Sequence, residues 1–437
     1  MTAEVALFNK SAIALAADSA VSIENSVSID SSTPKANKIY NNAEKLFALT
    51  KHHPVALMIY ESNELQGVPW ELIIKSYRKY LGVKYFDTLQ EYKNSFLSFT
   101  RDFYFSLPSH VLNHHFSNQV NEIIYLTSEI IYNMLEEDNS SSELSLIDKI
   151  DSVINLLLEQ YSDVPYFDGL NEETFENTDS NFDQLASEYL SEYFDVENLT
   201  ESESRDWLNT CNSFYVLCKY RLLRQDPFFK GTTGLVFAGY GDKEYFPIIL
   251  ECEVFGAIDN CIKFIRKETF PGRPIAGLKA FAQREEVATF MQGISESSLK
   301  NYMHNFTSFA DSSHNDIVEL IEKYVPEEKR QQVREEYETK LKSSLEECIT
   351  DIKEHSKREH IDKVTGMIGH LPKNELAYMA ESLVNLTAFK RKVSNESDSV
   401  GGPIDVAVIS KGDGFVWIKR KHYFPPELNT HYGPKMN

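Results

Sequence analysis

Three side chains near the start of the chain have types and spacing suited to nucleophilic chemistry: the Thr2 hydroxyl, the Asp18 carboxylate and the Lys45 ammonium. A hydroxyl attacks poorly near neutral pH unless a base takes its proton. Removal of Met1, which a small second residue permits, would leave Thr2 with a hydroxyl and a free α-amine on one residue. Such an amine has a reference pKa of about 7.7–8.0, close to working pH, and a nearby cation lowers it further. Asp18 and a lysine together would supply that cation and hold it in place, giving a nucleophile that carries its own base.

Two hairpins are needed to bring these groups together. Val5-Ala-Leu-Phe and Ala12-Ile-Ala-Leu-Ala-Ala are apolar runs joined by Asn9-Lys-Ser, a hairpin pattern. Facing residues in an antiparallel pair have a constant sum of positions. With Asn9-Lys10-Ser11 as the loop, Phe8 faces Ala12 and Thr2 faces Asp18. Lys45-Leu-Phe-Ala-Leu-Thr and Val55-Ala-Leu-Met-Ile-Tyr flank Lys51-His-His-Pro. Pairing Thr50 with Val55 there sets Lys45 opposite Tyr60.

Beyond these hairpins the periodicity becomes helical from Trp70, where Trp70, Ile73, Ile74 and Tyr77 share one face. Strand signals return at Gly234-Leu-Val-Phe-Ala-Gly-Tyr, Tyr245-Phe-Pro-Ile-Ile-Leu and Ile262-Lys-Phe-Ile. A short helix is expected over 285–293 and a long charged one over 318–359, whose Val333, Tyr337, Leu341 and Leu345 stripe reads as core-facing. Another helix begins near Glu375, and a last hairpin turns at Lys411-Gly-Asp-Gly. A βαβ alternation is absent, so the expected class is α+β.

Thr2 followed by Ala16-Ala17-Asp18-Ser19 resembles the N-terminus of proteasome β subunits and their bacterial relatives, the N-terminal nucleophile hydrolases. Lys45 in Glu44-Lys-Leu-Phe-Ala-Leu matches the family's catalytic lysine by its distance to Val55-Ala-Leu-Met-Ile; Lys35 and Lys38 are the alternatives. Gly234-Leu-Val-Phe-Ala-Gly-Tyr-Gly resembles the family's central strand pair. Ser399-Val-Gly-Gly-Pro-Ile-Asp-Val-Ala-Val-Ile resembles its late strand segment. That match makes Asp398 and Ser399 the candidates that hydrogen-bond the N-terminal amine, with Glu396 or Ser397 in a shifted register. The likeness covers about half the chain, in pieces at both ends and the middle.

The resemblance implies a four-layer αββα sandwich assembled from residues 1–66, 228–292 and 374–437, the last including a tail. Segments 67–227 and 293–373 are then helical insertions. It implies a threonine peptidase in which Thr2 attacks, Asp18 holds Lys45, and a backbone N–H of Tyr60 or Glu61 receives the oxyanion. A peptide or protein substrate, a homo-oligomer and an unfoldase or regulator are the implied partners, with no cofactor. Two other readings stand beside it: an amidase for a small amide, and a weakly catalytic scaffold whose helical segments bind a partner. The sequence departs from the family at Ile59-Tyr-Glu-Ser, where a Gly-rich turn is usual, and at Lys279-Ala-Phe-Ala-Gln-Arg, where Gly-Ser-Gly is usual. Glu61 would repel a developing oxyanion if its side chain pointed inward, and Gln283 stands where a serine would hydrogen-bond.

The rest of the composition narrows the classes. A net charge of −22 over 437 residues disfavours nucleic acid and anionic membranes as partners. Between Ser162 and Ser204 there are thirteen Asp or Glu and no Lys or Arg, read as a solvated acidic surface. No apolar run reaches a membrane span, and the start lacks the early positive charge of a signal peptide. Five cysteines without a CxxC pair fit reduced packing residues in the cytoplasm. The histidines, including His52-His53, His114-His115, His355 and His360, lack companions at metal-ligand spacing. No nucleotide-binding glycine motif or GxSxG elbow occurs.

Overall fold

The computed structural model describes residues 2–23, 38–40, 43–137, 145–171, 173–174, 181–196, 199–225, 233–270, 275–393, 401–422, 424–425 and 428–429; the side chains at 21–23, 38–40 and 268–270 fall outside that description. The chain starts with β1 (Ala3–Phe8) and β2 (Ile13–Ala17), then β3 (Val21–Ile23) and β4 (Lys38–Tyr40), which pair with each other. β5 (Leu46–Ala48), β6 (Val55–Glu61) and the small hairpin β7 (Glu64–Leu65) and β8 (Val68–Pro69) follow. Helices α1 (Trp70–Leu81), α2 (Leu89–Phe105), α3 (Ser109–Glu137), α4 (Leu146–Ser162), α5 (Phe182–Tyr193) and α6 (Glu201–Leu223) come next. Then come β9 (Thr233–Gly239), β10 (Ile248–Ile258), β11 (Cys261–Phe270) and β12 (Gly277–Ala282). The remainder is α7 (Glu285–Gln292), α8 (Glu296–Tyr324), α9 (Glu327–Ser356), a π turn, α10 (Asp362–Ile368), α11 (Lys373–Val393), β13 (Asp405–Ser410) and β14 (Gly414–Lys419).

Two five-stranded antiparallel sheets carry the fold, in the orders β12-β1-β2-β13-β14 and β11-β10-β9-β6-β5. The class is therefore α+β. β1 and β2 are buried along their whole length because both faces of their sheet are covered. Ala3, Val5 and Leu7 pack with Ala12, Ala14 and Ala16 against Leu376, Ala380, Leu383 and Val384 of α11. On the other face Ala6, Phe8, Ile13, Leu15 and Ala17 pack against Leu46, Met58, Tyr60, Val236 and Ala238 of the second sheet. Strands buried on both sides read as continuous apolar runs. The small alanines let layers approach on both faces. The far face of the second sheet, including Leu57, Ile59, Leu235 and Phe237, packs on Trp70, Ile73 and Tyr77 of α1 and Tyr92 and Phe96 of α2. A separate apolar cluster holds α3 to α6 together around Ile154, Phe214 and Leu217.

Both expected hairpin registers are off by one residue, and in each case a turn side chain is the cause. In the first, Phe8 pairs with Ile13 and Glu4 with Ala17. Asn9 Oδ1 accepts the N–H groups of Ser11 and Ala12, while Asn9 N–H donates to Ala12 O. Ala12 is thereby drawn into the turn, and Ala3, not Thr2, lies opposite Asp18. In the second, Leu46 pairs with Met58 and Ile59 N–H donates to Lys45 O at 2.8 Å. Lys45 thus faces Ile59, not Tyr60, because the Thr50 hydroxyl bridges to both the N–H and the C=O of His53 and widens the loop.

The long helix expected over 318–359 is two helices. Pro326 lacks an N–H and stands between Tyr324, the end of α8, and Glu327, the start of α9, as proline requires. The Val333, Tyr337, Leu341 and Leu345 stripe is not core-facing. No residue of α9 is fully buried; Tyr337 stacks on His314 of α8 with ring centroids 5.7 Å apart. Strand β12 runs through Lys279 to Ala282, a stretch with no strand signal in the sequence, and α7 follows at Glu285. All five cysteines are free thiols, and burial pushes those of Cys218 and Cys252 up to about 12. Among the described residues no helix is long and apolar enough to cross a membrane.

Candidate active site

Thr2 precedes β1 and is fully buried. Its carbonyl accepts the Gln283 N–H at 3.2 Å, which ties the start of the chain to the end of β12. Alternation along β1 puts Thr2 and Glu4 on one face. The Thr2 Oγ1 hydroxyl donates to Glu4 Oε2 at 3.0 Å. The same oxygen accepts the Glu61 backbone N–H at 3.4 Å.

Asp18 lies one residue beyond the end of β2, so its carboxylate is free of the strand's alternation and turns back on the chain start. Oδ1 accepts the Ala3 N–H at 3.2 Å and the Lys45 ammonium at 2.5 Å. Oδ2 accepts the Gly401 N–H at 3.0 Å and the Ala20 N–H at 3.4 Å. A carboxylate with four donors in a fully buried place is well compensated. Lys45 Nζ also stands 3.5 Å from Glu4 Oε1. Thr2, Glu4, Lys45 and Asp18 therefore form a chain of polar contacts in an otherwise apolar interior.

Two carboxylates share one ammonium there. Burial raises the Glu4 carboxyl to about 8, and the Asp18 charge adds to that rise; Lys45 and the Thr2 hydroxyl act against it. Glu4 was not among the residues singled out for chemistry. Its only sequence signal is its position two residues after Thr2 in a strand, which the apolar neighbours Val5, Ala6 and Leu7 obscure.

The Glu61 N–H is aimed at Thr2 by a left-handed backbone, with φ of 68°, a conformation glycine adopts more easily. The Glu61 side chain is exposed, outside the buried space that holds Thr2 Oγ1. Tyr60 anchors the turn. Its hydroxyl donates to Glu251 Oε1 at 2.7 Å, and Lys279 Nζ neutralises Glu251 Oε2 at 2.6 Å. Burial and the Glu251 contact both raise the Tyr60 hydroxyl above its ordinary value. Gly234 makes room for the ring, since a Cβ there would lie 1.9 Å from it. Of the two oxyanion candidates, Glu61 is the one whose N–H reaches Thr2.

Ser19 N–H donates to Gly401 O at 3.2 Å and Ser19 Oγ donates to Pro403 O. Asp398 and Ser399, with the alternatives Glu396 and Ser397, lie outside the described residues, as does Lys35; so does the Lys38 side chain. Gln283 meets Thr2 through its backbone N–H. A cleft of about 460 Å³ opens past the Glu61 turn, lined by Ser62, Glu64, Gln66, His115, Gln119 and Glu122 among others. Among the described residues no group of His, Cys, Asp and Glu is arranged to hold a metal. His360 packs against Gly293, and His115 Nδ1 pairs with the Tyr104 hydroxyl at 2.9 Å. No family model matches the chain, and no curated protein matches it significantly.

Proposed function

We propose that the protein is a threonine-type N-terminal nucleophile hydrolase, proteasome-like, that cleaves peptide or amide bonds from a four-layer αββα sandwich. One observation carries this reading: a buried Thr2 hydroxyl lies between an acceptor carboxylate and a backbone N–H, beside the Asp18–Lys45 pair. The supporting fold features are the two stacked sheets, with α11 on the outer side of one and α1 and α2 on the outer side of the other.

The chemistry follows from those positions. With Met1 removed, Thr2 Oγ1 attacks the carbonyl carbon and its proton passes to a base, which the family likeness assigns to the Thr2 α-amine. The carbonyl electrons move onto oxygen, where the Glu61 N–H stabilises them; one such donor is worth about 10²–10³ in rate. Lys45, held by Asp18, offsets the negative charge. The C–N bond then breaks, the leaving nitrogen takes a proton, and water hydrolyses the ester. Assembly into a closed oligomer belongs to the same reading.

The test is mass spectrometry of the purified chain before and after treatment with a peptide epoxyketone, which joins a hydroxyl and a free α-amine of one residue. The expected result is loss of Met1 and one adduct on Thr2, absent in Thr2→Ala. Retention of Met1 overturns the proposal.

A further inference from the structure

The Thr2 hydroxyl proton already has a carboxylate partner. Glu4 Oε2 accepts it at 3.0 Å. Burial and the nearby Asp18 charge hold its proton affinity up, while Lys45 and the Thr2 hydroxyl pull it down. Across the sheet Glu4 pairs with Ala17 on one side and Phe281 on the other, so its neighbours withhold water. The charged groups facing it are Lys45, from the residue before β5, and Asp18, from the end of β2. Lys45 lies 3.5 Å from Glu4 but 2.5 Å from Asp18. The ammonium is committed mainly to Asp18, and Glu4 retains the proton affinity that a tight ion pair would remove.

We infer that Glu4 is a catalytic residue: the general base that first takes the proton from Thr2 Oγ1. The inference rests on Thr2 being the nucleophile and changes which group activates it. As the Oγ1–carbon bond forms, the hydroxyl proton moves to Glu4 Oε2 and the carbonyl electron pair moves onto oxygen. Collapse breaks the C–N bond, and the leaving nitrogen takes its proton from the Glu4 carboxylic acid, which restores the carboxylate. In the second half, Glu4 takes a proton from the attacking water and returns it to Oγ1 when the ester breaks. Atoms and charge balance with no further reactant. A strand residue two positions from the nucleophile then does work assigned by family likeness to the amine. The raised carboxyl of Glu4, about 8, agrees with a base poised near working pH.

The probe is a β-lactone, which acylates a hydroxyl without needing a free amine, followed by intact mass over pH 5.5 to 9.5. Wild-type labelling is expected to quicken with pH and level off above about 8, because the carboxylate is the active form. Glu4→Gln matches the size of the protonated acid, so its fold should survive, yet it accepts no proton. It should label about a hundredfold more slowly, with the inflection gone and the half-saturating lactone concentration unchanged. Glu4→Asp keeps a base but draws it back from Oγ1, so it should label slowly and retain an inflection. Labelling of Glu4→Gln at the wild-type rate and pH profile overturns the inference; if that variant does not fold, labelling of Glu4→Asp at the wild-type rate does so. Absence of any Thr2 label on the wild-type chain is the separate result that sinks the hydrolase reading itself.

Discussion

Glu61 presents its N–H to Thr2 Oγ1 over 3.4 Å from a left-handed backbone, while its own side chain is exposed. The donor belongs to the main chain, so the residue type matters only through conformation. Non-glycine residues in this region pay about 1–3 kcal/mol of strain. Glu61→Gly relieves that strain and retains the N–H. Its melting temperature should equal or exceed that of the wild type, and Thr2 labelling should stay within a few-fold. Loss of labelling with an intact fold would mean that the Glu61 side chain, not its backbone, serves the site.

Gly234 and the Tyr60 ring set the position of that turn. A Cβ at 234 would lie 1.9 Å from the ring, and the adjacent Glu251 contact leaves the ring little freedom. Gly234→Ala should therefore destabilise by about 1–3 kcal/mol, the usual range for overpacking. In a Tyr60→Ala background the same change should be nearly neutral, because the ring it meets is gone. Denaturant midpoints of the two single variants and the double variant measure this coupling; additive losses would contradict it.

Among the described residues Lys45 is the cationic partner of the buried Asp18. Lys45→Met leaves Asp18 charged beside Glu4 in an apolar interior, and breaking a buried pair in this way costs about 3–5 kcal/mol. Asp18→Asn combined with Lys45→Met removes both charges and should recover part of the loss. Urea unfolding of the three variants decides it. Equal midpoints for Lys45→Met and the double variant would show that the pair is not coupled.

Thr2 joins the Asp18–Lys45 pair only through Glu4; the pair itself was legible because it depends on two local hairpins, whose apolar runs and polar turns are written in consecutive residues. Their registers were not legible, since Asn9 and Thr50 each use a side chain to enlarge a turn, and apolar alternation does not encode that bonding. β12 escaped notice because Gly277–Ala282 is short and gains its identity by pairing with β1, far away in sequence. The α9 stripe misled for another reason: helical periodicity reports that a face is covered, not by what, and here the cover is α8.

Glu4 also predicts how stability depends on pH. Its carboxyl is raised from 4.5 to about 8 in the folded protein, so between those values the folded state holds a proton that the unfolded chain has released. Folding stability contributed by this group is complete below the unfolded value and falls as pH rises through 8. Glu4→Gln cannot ionise and escapes the loss. Thermal melts should show Glu4→Gln above the wild type at pH 9, with the gap closing towards pH 5. A gap that is constant with pH would show that Glu4 does not titrate in this range.

The α8–α9 hairpin meets the rest of the fold at a narrow base. Ser356 Oγ, at the end of α9, donates to Gln292 O at 2.9 Å, so the two ends of the hairpin are already together in space. Along its length only Ala310 and Ile321 of α8 are fully buried, and nothing in α9 is. Gly293 ends α7 in a left-handed conformation against the His360 ring and must be kept. Replacing residues 294–355 by a Gly-Ser bridge of about four residues spans the gap, because such a linker reaches about 5–6 Å times the square root of its length. Little apolar area is lost from the sheets or from α11. The shortened chain should melt within a few degrees of the wild type and label Thr2 at an unchanged rate, read by calorimetry and intact mass. Loss of labelling with the melting temperature preserved would assign the hairpin a direct part in forming the site.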